Sequence, residues 1–287
     1  MSEAGDFLSG MAASSRARSH LAQATLPERE LRARIAGLPR TPKLSLTTFD
    51  LIAELKLRSP AVGVLKTAGE EDVGARVATY ARAGAAAVSI LTEPSRFDGS
   101  INDLYTASAA LAGSRVTTMR KDFLVDGYQV LEARAAGAGG VLAILRMIPR
   151  AALEELIDTA LGLDMFVLLE AFDAPDIELA HRLVDARLAH RDLLLVGVNS
   201  RDLVTLKVVP GRLDALAASL PTQVRRVAES GVATAADAAR VAAAGYDLAL
   251  VGSALMSAAD PARLAGAMLA AGRAAATERT AHAGAGG

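Results

Sequence analysis

The sequence holds no cysteine and no tryptophan, and only 6 Phe and 4 Tyr among 287 residues. The absence of Cys excludes a disulfide scaffold, a Cys-ligated zinc site and a thiolate nucleophile. A formal net charge of -1 lacks the basic excess that binds a nucleic-acid backbone, so no nucleic-acid partner is expected. No apolar run approaches the roughly 18 residues a membrane span needs, and no membrane partner is expected. The Gly/Ser/Ala-rich stretch from Met1 to Ser19 has no apolar h-region of a signal peptide. The default is a soluble cytoplasmic protein. Lysine is scarce too: Lys43, Lys56, Lys66, Lys121 and Lys207 are five among 31 basic residues. A chain that uses Arg nearly everywhere raises the question of why any Lys remains.

Against these absences, 52% hydrophobic and 22% charged residues mark a globular chain. Short apolar runs recur at Leu51–Lys56, Ala86–Leu91, Arg115–Met119, Gly140–Leu145, Met165–Glu170, Leu193–Val198, Val224–Ala228 and Asp247–Val251. They are continuous rather than alternating, as parallel strands covered on both faces are. Helical spacing fills the intervals, as in Glu71–Arg82, Tyr128–Ala136, Arg150–Leu161, Asp176–Leu188 and Ala235–Ala244. An Ala-Gly phrase precedes a strand at Ala83-Gly84, Ala136-Gly137 and Ala244-Gly245, where Gly suits the residue after a helix end. The intervals are 53 and 108 residues. Both are near multiples of about 27, the length of one βα unit in a roughly 250-residue barrel. Eight such units favour a (β/α)8 TIM barrel over an open doubly wound sheet. The reading is an N-terminal extension with a helix over 1–48, a barrel over 49–273 and a flexible tail over 274–287. Within the extension, His20–Ile35 reads as helical, with an internal start at Pro27.

In a barrel of this kind the chemistry sits at the C-terminal ends of the strands. Those ends carry Glu54 and Lys56, which alternation places on one face, then Lys121, Glu170, Asn199, Arg201, Glu229, Ser230, Gly231, Gly252 and Ser253. The glycine turns after the last two strands suit a phosphate, with Ser230 and Ser253 adding donors. The alternative is two ordinary helix caps. Lys56 suits proton transfer or anion contact, or else a buried pair with Glu54 or Glu229. Lys121 suits the same chemistry, or else a solvated loop charge. Desolvation lowers a lysine pKa, whereas Arg keeps its proton. Glu170, ending an apolar strand, has a carboxyl expected to rise into the acid–base range unless it is ion-paired. The four His fall in helical or tail segments, without metal-ligand spacing.

The runs Ile52-Ala53-Glu54-Leu55-Lys56, Ser59-Pro60, Arg120-Lys121-Asp122-Phe123, Gly197-Val198-Asn199-Ser200-Arg201-Asp202, Glu229-Ser230-Gly231 and Val251-Gly252-Ser253-Ala254-Leu255-Met256 together resemble the indole-3-glycerol phosphate synthase family of tryptophan biosynthesis. The likeness runs from about residue 51 to 257. It implies a barrel with an extra N-terminal helix. The implied reaction is decarboxylating, dehydrating ring closure of 1-(2-carboxyphenylamino)-1-deoxyribulose 5-phosphate, without cofactor or metal. It implies that Lys121 is the general acid, Glu170 the acid/base for dehydration and Lys56 an anion contact or proton carrier. Glu54 and Asn199 would hold substrate and lysines. Arg201 would meet the anthranilate carboxylate or brace a catalytic carboxylate. Ser59, Pro60 and Glu229 would contact substrate, and Phe97 and Phe123 would wall its ring. Ser230, Gly231, Gly252 and Ser253 would bind phosphate. The partner is thus a phosphorylated small molecule, and the chain a monomer or weak homo-oligomer.

Departures mark this chain. Ser59-Pro60-Ala61-Val62-Gly63 stands where the family has Ser-Pro-Ser-Lys-Gly. Arg146 follows the fourth strand in place of a small apolar residue, and Ala171-Phe172-Asp173 replaces Val-His-Asp. They leave a secondary-pathway paralogue as one alternative. A non-catalytic phosphometabolite-binding barrel is another, disfavoured because binding phosphate alone does not require Glu54, Lys56, Lys121, Glu170 and Asn199 together.

Overall fold

A computed structural model describes residues 3–59, 63–67, 71–203 and 205–285. Eight strands form where the apolar runs lie: β1 (Asp50–Leu55), β2 (Ala87–Leu91), β3 (Thr117–Lys121), β4 (Gly140–Ile144), β5 (Phe166–Ala171), β6 (Leu194–Asn199), β7 (Arg225–Glu229) and β8 (Leu248–Val251). All pairings are parallel, and the ring closes through β1 and β8. Every residue of β1, β2, β4, β5 and β8 is buried. That two-sided burial is why the runs do not alternate.

The helices around the ring include α3 (Val73–Arg82), α4 (Ile101–Ala110), α5 (Gly127–Ala135), α6 (Arg150–Gly162), α7 (Ala174–Asp185), α8 (Arg212–Ala217) and α9 (Ala235–Ala244). Gly84, Gly137 and Gly245 are all left-handed, with φ of 94°, 88° and 111°, as the repeated phrase requires. Register sets the top of the barrel. Ile144 lies beside Glu170, Glu170 beside Gly197, and Asn199 beside Glu229. Chain-distant carboxyls and an amide therefore share one level.

Two termini depart from expectation. The N-terminal helix starts at Glu3 rather than His20, as α1 (Glu3–Thr25), and α2 (Glu28–Ala36) follows after Pro27. Leu8, Met11, Ala12, Ser15 and Ser19 are buried, a helical stripe built partly from small polar residues. The expected flexible tail after Arg273 is instead helical: a terminal helix spans Pro261–Ala285. Alanine favours helix, Ala276 is buried, and Arg279 Nη1 donates to Ala242 O at 2.6 Å, which docks this stretch. Among the described residues, no helix is long and apolar enough to cross a membrane.

Candidate active site

A cavity of about 300 Å³ opens at the C-terminal ends of the strands. Fourteen of the fifteen expected site residues line it: Glu54, Lys56, Ser59, Phe97, Lys121, Phe123, Glu170, Asn199, Arg201, Glu229, Ser230, Gly231, Gly252 and Ser253. The fifteenth, Pro60, lies outside the described residues, as do Ala61 and Val62.

Lys121 is the hub. It is the last residue of β3 rather than part of a hydrated loop, and its side chain is largely buried. Its Nζ lies 3.1 Å from Glu170 Oε2 and 3.3 Å from Glu229 Oε2. Burial alone would lower its pKa. The carboxylates of Glu170, Glu229 and Glu54 outweigh burial and raise it well above an ordinary ammonium. The expected fall is therefore reversed, and Lys121 is held as a cation.

Burial and the nearby Glu170 carboxylate push the Glu229 carboxyl up to about 8, against the pull of Lys121. Oε1 of Glu229 is buried without a hydrogen-bond partner among the described residues. It occupies the space that a Cβ on Gly197 would fill. Glu229 is thus a carboxyl raised toward neutral pH, while Glu170 forms the ion pair that was the alternative for it, with Lys121.

Lys56 pairs with Glu54 at 2.6 Å and not with Glu229. Burial raises the Glu54 carboxyl, but Lys56 and Lys121 more than offset this and hold it below its ordinary value. A Cβ on Gly252 would collide with Glu54 Oε2 and approach Lys56 Nζ, so glycine there makes room for the pair. Two ammonium groups thus face three carboxyls. The upward shift of Glu229 relieves repulsion among the carboxyls, which helps so many ionisable groups share a buried site.

Asn199 Oδ1 accepts from the Arg201 N–H at 3.0 Å, and Arg201 Nη1 donates to Leu206 O at 2.7 Å. Burial lowers the Arg201 pKa, opposed by Glu54. No carboxylate lies within ion-pair distance of Arg201 among the described residues. Arg201 therefore forms no ion pair with a catalytic carboxylate here, although its charge and that of Glu54 act on each other across the cavity they both line.

The cap explanation of the two serines fails for Ser230. Thr234 caps α9, in a capping box with Asp237, while Ser230 and Gly231 are consecutive left-handed residues at φ 64° and 76°. The loop is fixed by Ser200 Oγ, which donates to Ser230 O at 3.0 Å. Ser253 follows Gly252 and opens the short helix Ser253–Ser257, and its Oγ is buried without a partner among the described residues. Such a hydroxyl is an unused donor aimed at whatever enters.

Sequence reasoning missed what α1 brings. Phe7 joins Phe97 and Phe123 in the cavity wall. Phe7 and Phe123 meet edge-to-face at 6.0 Å, and Phe97 and Phe123 lie 6.2 Å apart. Arg18 of α1 grips Asp122 with two hydrogen bonds of 2.8 Å. Asp122 also accepts from Thr92 Oγ1 at 2.7 Å and from Arg120 at 3.3 Å. Despite burial, these donors hold its carboxyl down at about 2.

The two departures behind Glu170 are one feature. Arg146 Nη2 lies 2.5 Å from Asp173 and 2.6 Å from Asp176, and its guanidinium sits 5.1 Å from the Phe172 ring centre. Asp176 also accepts from the Phe172 N–H at 2.8 Å. The clasp frames the loop that follows Glu170. Arg146→Ala leaves Asp176 buried without its cation, so stability should fall by about 1–3 kcal/mol. Urea denaturation checks this, and an unchanged midpoint contradicts it.

Among the described residues, no group of three His, Asp or Glu is arranged to hold a metal ion. A closed barrel whose mouth gathers lysines and carboxyls from separate strand ends defines a (β/α)8-barrel enzyme built for acid–base chemistry. The profile of the family described as indole-3-glycerol phosphate synthase matches residues 13–267. The indole-3-glycerol phosphate synthase of Kineococcus radiotolerans is 40% identical over 222 residues, 77% of this chain and 76% of the relative. That of Parafrankia sp. is 40% identical over 243 residues, 85% and 84% of the two chains. The solved 3-hexulose-6-phosphate synthase of Salmonella typhimurium shares the fold, with a TM-score of 0.60 at 16% identity, covering 80% of this chain and 100% of that one. The chain belongs to the indole-3-glycerol phosphate synthase family.

Proposed function

We propose that this chain converts 1-(2-carboxyphenylamino)-1-deoxyribulose 5-phosphate to indole-3-glycerol phosphate, releasing carbon dioxide and water. The observation that carries this is the Lys121 ammonium, shared between Glu170 and Glu229 inside an aromatic-walled cavity. Lys121 donates to the ribulose carbonyl oxygen while the carboxylate-bearing aromatic carbon attacks the carbonyl carbon. An ammonium at that oxygen stabilises the charge that develops there. Carbon dioxide then leaves with the C–C bond electrons restoring the aromatic ring, and the resulting hydroxyl takes up a proton and departs as water while the adjacent ring carbon gives up a proton to form the new double bond. Glu170, one hydrogen bond from Lys121, serves proton transfer in the dehydration. Lys56, held by Glu54, faces the substrate anion and stands as a second proton carrier. Arg201 meets the anthranilate carboxylate, and Asn199 orders the Arg201 backbone. Phe97 and Phe123 pack on the ring, Ser59 and Glu229 contact substrate, and the loops of Ser230, Gly231, Gly252 and Ser253 receive the phosphate.

The test is indole fluorescence from purified protein and the anilino-ribulose phosphate. Turnover by the wild type with loss in Glu170→Gln is the expected result. A wild type without turnover moves the chain to the phosphate-binding reading. Ser253→Ala should raise KM about 10–100-fold, since a hydrogen bond to a charged group contributes about 1.5–3 kcal/mol. Its kcat should hold, because phosphate grip is uniform binding. A fall in kcat at unchanged KM contradicts the phosphate assignment.

A further inference from the structure

A second cavity, of about 770 Å³, lies at the opposite end of the barrel from the catalytic one. It opens between the linker that leads from α2 into β1, the C-terminal ends of α4 and α5, and the start of β3. Four cations line it, Arg40, Lys43, Arg115 and Arg134, and no Asp or Glu is among its lining residues. Arg40 has a loose ion pair with Asp164 at 3.7 Å. No carboxylate lies within ion-pair distance of Lys43, Arg115 or Arg134 among the described residues.

Arg134 is the telling residue. It is only 7% exposed, and Nη2 donates to Pro39 O at 2.6 Å. A buried guanidinium ordinarily has a counter-ion. Here burial lowers its pKa with nothing opposing it. Two helix C-termini offset only part of this positive charge, because each carries about half a unit of negative charge against three cations without a carboxylate partner. A second polar group is also left over: Thr117, 1% exposed, lines the cavity, and its Oγ1 has no hydrogen-bond partner among the described residues.

We propose that this cavity binds a small polyanion bearing phosphate or carboxylate groups, with Arg134 as the buried anchor and Lys43 and Arg115 as the rim. The volume is that of ordinary small-molecule sites. Leu38 and Tyr105, both exposed, give the organic part of such a molecule an apolar flank. Such a ligand ties the 38–45 linker to α5. It lies apart from the catalytic cavity, so the proposal does not rest on the proposed reaction.

The experiment is amide hydrogen exchange on the full chain with millimolar pyrophosphate or citrate, the two probes separating phosphate from carboxylate. Protection at residues 38–45 and 111–118 by either probe is expected. In the double variant Lys43→Gln, Arg115→Gln the apparent affinity at that site should fall at least tenfold, with turnover unchanged. These two side chains are exposed, so the variant tests binding without the folding risk of Arg134→Gln. Protection confined to 229–233 and 251–255, the catalytic loops, overturns the proposal. So does a double variant that binds like the wild type.

Discussion

Lys121→Arg should lower kcat for ring closure by about 10²–10⁴-fold, the range that a positioned proton donor contributes. The substitution is informative because it keeps the charge. Glu170 and Glu229 still face a cation, so the buried carboxyls stay partnered and the barrel folds. What is lost is the donor chemistry. A guanidinium does not release its proton, and its planar fork directs its N–H groups differently from the compact ammonium that lies between Glu170 and Glu229. The three carboxyls hold Lys121 as a cation before substrate arrives. Substrate entry puts a carbonyl oxygen and two anionic groups into the same cavity, and Glu229 below about pH 8 carries a proton and repels less. Steady-state kinetics with the fluorescence assay checks the prediction, alongside a denaturation curve showing that the variant is folded. A folded Lys121→Arg protein at wild-type kcat removes Lys121 from the chemistry.

Most of the barrel was legible because most strands are covered on both faces, so their apolar runs are nearly unbroken and the polar residue that ends each run marks the top. That logic identified Glu54, Glu170, Asn199 and Glu229, and register then sets them side by side. It failed where the buried face is not apolar. Ser15 and Ser19 are buried, and Ser15 Oγ accepts from Gln129 while Ser19 Oγ donates to Asp126, at 2.9 and 2.6 Å. Periodicity in hydrophobicity misses a helix docked through hydroxyls, so the first half of α1 and its Phe7 were hidden. Electrostatics were illegible for a different reason. Desolvation and charge pull Lys121 in opposite directions, and only the distances to Glu170 and Glu229 decide the sign. Arg18 and Asp122 are 104 residues apart in the chain, and nothing in either neighbourhood announces the other.

That last pair carries the largest expected effect on stability. Asp122→Asn should cost about 3–5 kcal/mol, the range for removing one partner of a buried ion pair, out of a total of roughly 5–15 kcal/mol. The Asp122 side chain is fully buried, and the Arg120 side chain beside it nearly so. An amide there keeps the volume but removes the charge that Arg18 grips through both oxygens. Arg120 retains Glu132 at 3.1 Å, so the uncompensated cation is chiefly Arg18, and α1 should loosen first. The pH dependence has a definite sign. The folded carboxyl, held at about 2, lies below its ordinary value of 3.8, so its stabilisation is present above about pH 4 and fades as pH falls toward 2. The wild type should lose stability through that window, and Asp122→Asn should lack this component. Urea denaturation at pH 7 and pH 3, with hydrogen exchange across residues 7–25, reads both effects. Equal midpoints at pH 7, or α1 as protected in the variant as in the wild type, rule out the clasp as the device that docks α1 beside Lys121. Because Phe7 reaches the cavity wall from the same helix, the variant should also raise KM, through a wall that no longer closes rather than through a missing proton donor.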